Sequence, residues 1–172
     1  MIDYLFAIGD CLPYLYALTF FISLGIYQRV SSILITASVV GFGEFMMNDI
    51  RDPLMSLALT SDRLMGVIFW TGTWLTCYLI MVFAITQLHV RSNISKTRGT
   101  QRILWFLCAL SGLQIMRYLS SITIQSPIIH EIYQWGVPAL NICIGISLLA
   151  TLLKGTVDVN FNFKISLRRD LY

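Results

Sequence analysis

Charge is scarce in this chain. Only 12% of its 172 residues are Asp, Glu, Lys or Arg, and the formal net charge is +3. A soluble domain is roughly one quarter charged, so water is not the main solvent for most of these side chains. Cysteine is equally sparse in pattern. Cys11, Cys77, Cys108 and Cys143 each fall in or beside a different apolar run, and no C-x-x-C pair exists. Histidine occurs twice, as His89 and His130, far apart. These spacings argue against a disulfide framework or a metal site, and the thiols read as small apolar side chains.

Catalytic motifs are also missing. The chain has no H-E-x-x-H, no G-x-S-x-G, no phosphate-binding glycine loop and no carboxylate-rich metal motif. Gly41-Phe42-Gly43 lacks the third glycine of a dinucleotide loop and lies in an apolar run. With His89 at the edge of one run and His130 in a loop, neither is placed as a base for a buried nucleophile. The expectation is a protein without enzymatic activity, cofactor or metal. There is no internal repeat, low-complexity segment or separate soluble domain. No basic residue precedes the first apolar run, which a secretory signal would require, so that segment is expected in the mature protein.

What is present is apolar length. Residues of the AVILMFWYC set make up 56% of the chain, and the mean hydropathy is +0.72. They gather into runs that match a bilayer core about 30 Å thick. The expected fold class is all-α and polytopic, with five transmembrane helices. Residues 1–11 read as an outer interfacial segment, with Asp10 capping a first span over 12–28 and Pro13 in its first turn. A short second span covers 31–47, where Ala37 and Gly41 form a small-x-x-x-small pair that admits a close helix neighbour. Pro53 and the aspartates mark 48–63 as an outer loop. A third span over 64–89 leads to a basic loop at 90–102. A fourth span covers 103–124, an outer loop 125–134, a fifth span 135–153 and a tail 154–172. A four-span arrangement with a re-entrant second run ranks below this one.

Orientation follows from the placement of Lys and Arg. Arg29, Arg91, Lys96, Arg98, Arg102, Lys154, Lys164, Arg168 and Arg169 fall on one side, against Arg51 and Arg63 on the other. The richer side is expected to be cytoplasmic, with the N-terminus outside and the C-terminus inside. Residues Arg91, Lys96, Arg98 and Arg102 then form a cytoplasmic basic loop suited to anionic lipid headgroups. Direct nucleic-acid binding is not expected from it.

Two charges fall inside predicted spans. Arg117 lies about 10 Å from the outer end of its run, and Glu44 about 6 Å from Asn48, at 1.5 Å per residue. Buried charges in lipid tend to pair or face water. The expected arrangement is an intramembrane Glu44–Arg117 ion pair, with Asp10 as a third member and Gln114 one turn away.

The tail carries a different period. Val157, Val159, Phe161, Phe163, Ile165 and Leu167 alternate with polar residues across 157–168. A period of two predicts a strand with one apolar face, and a lone strand needs a partner for its backbone groups. The tail is therefore expected to pair with another subunit or with a partner protein.

In size and layout the chain resembles the small polytopic subunits of multi-component bacterial systems, anti-phage defence complexes among them. That likeness covers layout alone and carries no residue. It implies a scaffold or sensor subunit in the cell inner membrane, homo-oligomeric, that recruits a cytoplasmic protein through loop 90–102 and the tail. The competing expectation is a small oligomeric channel, holin-like pore or transporter, its path lined by Asp10, Glu44, Gln114, Arg117 and Asn141.

Overall fold

A computed structural model describes the backbone of residues 2–27, 31–123 and 126–169, and the side chains of 11, 13–25, 31–123 and 126–154. These residues form five helices: α1 Ile2–Tyr27, α2 Ser32–Thr60, α3 Arg63–Arg91, α4 Arg98–Ile122 and α5 Pro127–Arg169. Four helices are long and apolar enough to cross a membrane, namely α2, α3, α4 and the Pro127–Lys154 part of α5. They mark a membrane protein. The described apolar stretch of α1, Pro13–Gly25, is shorter.

Each helix packs on its chain neighbours, and α1 also packs on α5, so the five close into a ring. The buried positions explain the packing. On α2 they include Ile33, Ala37, Val40, Glu44 and Met47, and on α3 Thr71, Trp74, Tyr78, Met81, Ile85 and His89. Steps of three and four residues keep one narrow stripe of each helix on the ring interior. The other faces stay apolar and outward: Trp105, Phe42 and Phe83 are 75%, 69% and 64% exposed. Such surface would be costly in water and suits lipid. Small residues set the closest approaches. A Cβ on Gly41 would stand 3.4 Å from Tyr16 Cβ, which brings α1 onto α2 beside the buried Ala37. One on Gly99 would overlap Thr151, where α4 meets α5.

Several boundaries differ from the sequence expectation. The second helix does not stop at Met47. It continues through Pro53 to Thr60, across the expected outer loop 48–63. Ile50 and Leu54 extend the stripe of Val40 and Met47 and pack against the core. That burial offsets the hydrogen bond that Pro53 cannot donate. The turn into α3 is then only Ser61 and Asp62, with the Ser61 backbone N–H donating to the Leu57 carbonyl at 3.1 Å. Likewise α1 runs unbroken through Pro13, so Asp10 lies within the helix and does not cap it. Residues 2–9 are helical and continuous with the rest of α1. Pro127, not Trp135, opens α5, where its missing N–H leaves no bond unmade.

The tail is also a correction. The backbone is helical through Arg169, so 157–168 continues α5 and is not a strand. No strand occurs among the described residues. A strand there would have no neighbour to bond, whereas the helix satisfies its own backbone by extending an existing nucleus. The side chains of Val157, Val159, Phe161, Phe163, Ile165 and Leu167 lie outside the described ones, as does Arg29.

Candidate functional site

Polar side chains inside the ring gather at three levels. The first is where α2 begins, α3 ends and α4 begins. Ser31 caps α2 by accepting from the Leu34 N–H at 3.3 Å, and Thr97 caps α4 by accepting from the Thr100 N–H at 3.2 Å. α3 ends with the Ile94 N–H bonded to the His89 carbonyl at 3.1 Å and the Asn93 N–H bonded to the Val90 carbonyl at 3.2 Å. Asn93 takes φ 52°, so this is a Schellman stop with asparagine in the left-handed position. These caps bring Ser32, Thr36, His89 and Thr100 into one buried cluster.

The hydrogen bonds of that cluster can be assigned. His89 Nδ1 is 2.7 Å from the Ile85 carbonyl oxygen, which only accepts, so Nδ1 carries the proton. In the neutral ring Nε2 then accepts from the Ser32 hydroxyl at 2.8 Å. Ser32 Oγ in turn accepts from the Thr97 backbone N–H at 3.2 Å and from the Thr100 hydroxyl at 2.8 Å. Thr36 donates to the Ser32 carbonyl at 2.7 Å and lies 2.9 Å from Thr100 Oγ1. A hydroxyl on an imidazole resembles a nucleophile and base. Here both are sealed, at 5% and 2% exposure, and every group bonds a neighbouring helix end. The arrangement clamps three helices. The basic residues sit just outside it: Arg91, Arg98 and Arg102 are exposed and Lys96 is half-buried.

The second level is mid-bundle. Glu44 is 8% exposed and its Oε1 has no hydrogen-bond partner among the described residues. It lies within electrostatic reach of Tyr16, Cys77 and Tyr78. The Tyr16 hydroxyl donates instead to the Asn141 carbonyl at 3.0 Å, tying α1 to α5. The Asn141 Oδ1 and Ser23 Oγ are also buried without a partner among the described residues.

The third level lies near the start of α3 and the end of α4. The Tyr133 hydroxyl donates to Gln114 Oε1 at 3.1 Å and accepts from Trp70 Nε1 at 3.3 Å. Arg117 stacks its guanidinium 5.8 Å from the centre of the Tyr133 ring.

The structure does not bring Glu44 and Arg117 together. Arg117 shares a cavity with Arg63, at the first turn of α3. Glu44 lies within electrostatic reach of Cys77 and Tyr78, further along that helix. The expected depth of Glu44 was too shallow because α2 runs past Asn48. No ion pair joins Glu44 or Arg117 to an opposite charge among the described residues. The side chain of Asp10 lies outside them. Of the residues expected to line a path, Gln114 and Arg117 meet through Tyr133, while Glu44 and Asn141 remain at mid-bundle. Between the middle and the His89 end stand the fully buried Ile85, Leu107 and Leu148.

The His89 cluster escaped sequence reasoning, although a signal existed. The up-and-down order of helices puts the start of α2, the end of α3 and the start of α4 on one side, and each carries a hydroxyl or imidazole there. The pocket beside Arg63 and Arg117 left no comparable trace. No family model matches the chain, and no curated protein or solved structure matches it either.

Proposed function

We propose that this chain is a non-enzymatic scaffold or sensor subunit of a multi-protein system in the bacterial inner membrane. In this reading it has five spans, with the N-terminus outside and the C-terminus in the cytoplasm. It is homo-oligomeric, and recruits a cytoplasmic protein through segment 90–102 and the residues after Lys154. The observation that carries the reading is the basic end of the bundle. Arg91 ends α3, Lys96 lies on the short connection, and Arg98 and Arg102 lie in the first turns of α4; the buried Ser32–His89–Thr100 cluster ties these helix ends together, so their charges are presented from a rigid base. That end also suits anionic headgroups of the inner leaflet.

Reporter fusions at residue 95 and at the C-terminus test the orientation, and both should report the cytoplasm. Charge reversal of Arg91, Arg98 and Arg102, and separately deletion of 157–172, test recruitment. Membrane insertion should persist while oligomer or partner cross-links disappear. The reading fails if both kinds of cross-link survive both changes.

A second reading is favoured by Glu44, whose buried Oε1 has no hydrogen-bond partner among the described residues. The chain would then be a small oligomeric channel, holin-like pore or transporter. The apolar layer of Ile85, Leu107 and Leu148 weighs against a path through one subunit. Ion flux through liposomes holding only the purified protein would displace the scaffold reading.

A further inference from the structure

The end of the ring opposite His89 contains a polar concavity of about 320 Å³ between α3, α4 and α5. Arg63 contributes from the first turn of α3, Arg117 and Ser120 from the last turns of α4, and Ser126 and His130 from the start of α5. Neither arginine has a carboxylate within salt-bridge distance among the described residues. Arg117 is held by its stack on Tyr133, which engages the face of the guanidinium and leaves its N–H edge free. Ser120 is only 4% exposed and makes no hydrogen bond among the described residues, although it lines this space. Its hydroxyl therefore has donor capacity to offer a bound group.

We propose that this concavity binds a phosphate group. Two guanidinium groups, a serine hydroxyl and an imidazole N–H line it as donors, and among the described residues no acidic side chain lines the space to oppose an anion. Planar guanidinium forks match phosphate oxygens in pairs. The first turn of α5 adds the positive end of its helix dipole. The phosphate can belong to a free ion or to a lipid headgroup. A second cavity of about 220 Å³ follows the same α3–α4 pair deeper into the bundle, lined by Ile68, Leu75, Ile115 and Tyr118. Its apolar walls suit an acyl chain below a headgroup, and this favours the phosphodiester of a lipid. The site is independent of the scaffold reading, because it lies at the other end of the bundle from the basic segment.

The test uses the full chain in nonionic detergent. Short-chain phosphatidylglycerol below its micelle concentration and inorganic phosphate are titrated separately by calorimetry. Saturable binding is expected for at least one of them, weakened about tenfold by Arg63→Gln. Ser120→Ala should weaken it less, and Arg51→Gln, on α2, should leave it unchanged. Arg63 is exposed, so its variant should keep the wild-type melting temperature. Binding of the lipid alone identifies a headgroup site, and binding of phosphate identifies an anion site. The proposal is overturned if neither ligand saturates, or if Arg63→Gln binds as tightly as wild type.

Discussion

Ser32 Oγ stands 2.8 Å from His89 Nε2, across 57 residues of sequence, in a space that water does not reach. The serine opens α2 and the histidine lies in the last turn of α3. Thr100, in the first turn of α4, completes the contact at 2.8 Å from the same oxygen. One hydroxyl therefore ties together three helix ends.

Breaking that tie should be measurable. Ser32→Ala and His89→Leu each leave a buried polar group without its partner, at a cost of about 1–2 kcal/mol. Both should lower the melting temperature in detergent. The double variant should lose less than the two single losses added together, because both remove the same bond. Strict additivity in that double-mutant cycle would mean the contact contributes nothing.

Glu44 should behave in the opposite way. Its carboxylate is buried with one oxygen unpartnered, which is costly in any apolar interior. Glu44→Met keeps similar volume without the polar group. It should raise stability by about 1 kcal/mol or more, read as a higher midpoint in thermal unfolding. A lower midpoint would mean that the carboxylate has a partner in the membrane.

Two glycines on α3 separate close approach from open space. A Cβ on Gly66 would meet the backbone carbonyl of Ala58, whereas one on Gly72 would meet nothing within 4 Å. Gly66→Ala should therefore destabilise by about 1–3 kcal/mol, since backbone cannot rotate away. Gly72→Ala should be neutral or gain up to about 1 kcal/mol from helix propensity. Melting temperatures of the two variants, measured side by side, decide this. Equal effects would refute the tight α2–α3 turn.

The end of α3 can be tested through Asn93. Its φ of 52° is tolerated by asparagine and glycine and resisted by branched side chains. Asn93→Gly should leave stability almost unchanged, and Asn93→Val should cost about 1–2 kcal/mol. Proteolysis within segment 92–97 should accelerate in the valine variant alone.

The helical nature of the chain was legible in its sequence because hydrophobic run length and period are one-dimensional properties. The alternation of 157–168 misled for a related reason. Side-chain period competes with backbone bonding, and a segment joined to a helix with no strand beside it can satisfy its N–H and C=O groups by extending that helix. Pro53 misled too, since it is read as a stop unless the buried stripe through Ile50 and Leu54 is followed beyond it.

By itself, then, the sequence determined a set of apolar helices, their approximate number and the basic character of one end. Tertiary structure decided which polar residues meet. Glu44 and Arg117 are opposite charges in two predicted spans, and nothing in the chain order forbids their pairing. Helix lengths and rotations in the closed ring place one at mid-bundle and the other beside Arg63. Ser32, His89 and Thr100 converge for the same reason. Depth and rotation are set by the packing of whole helices against each other, and a period read along one helix contains neither.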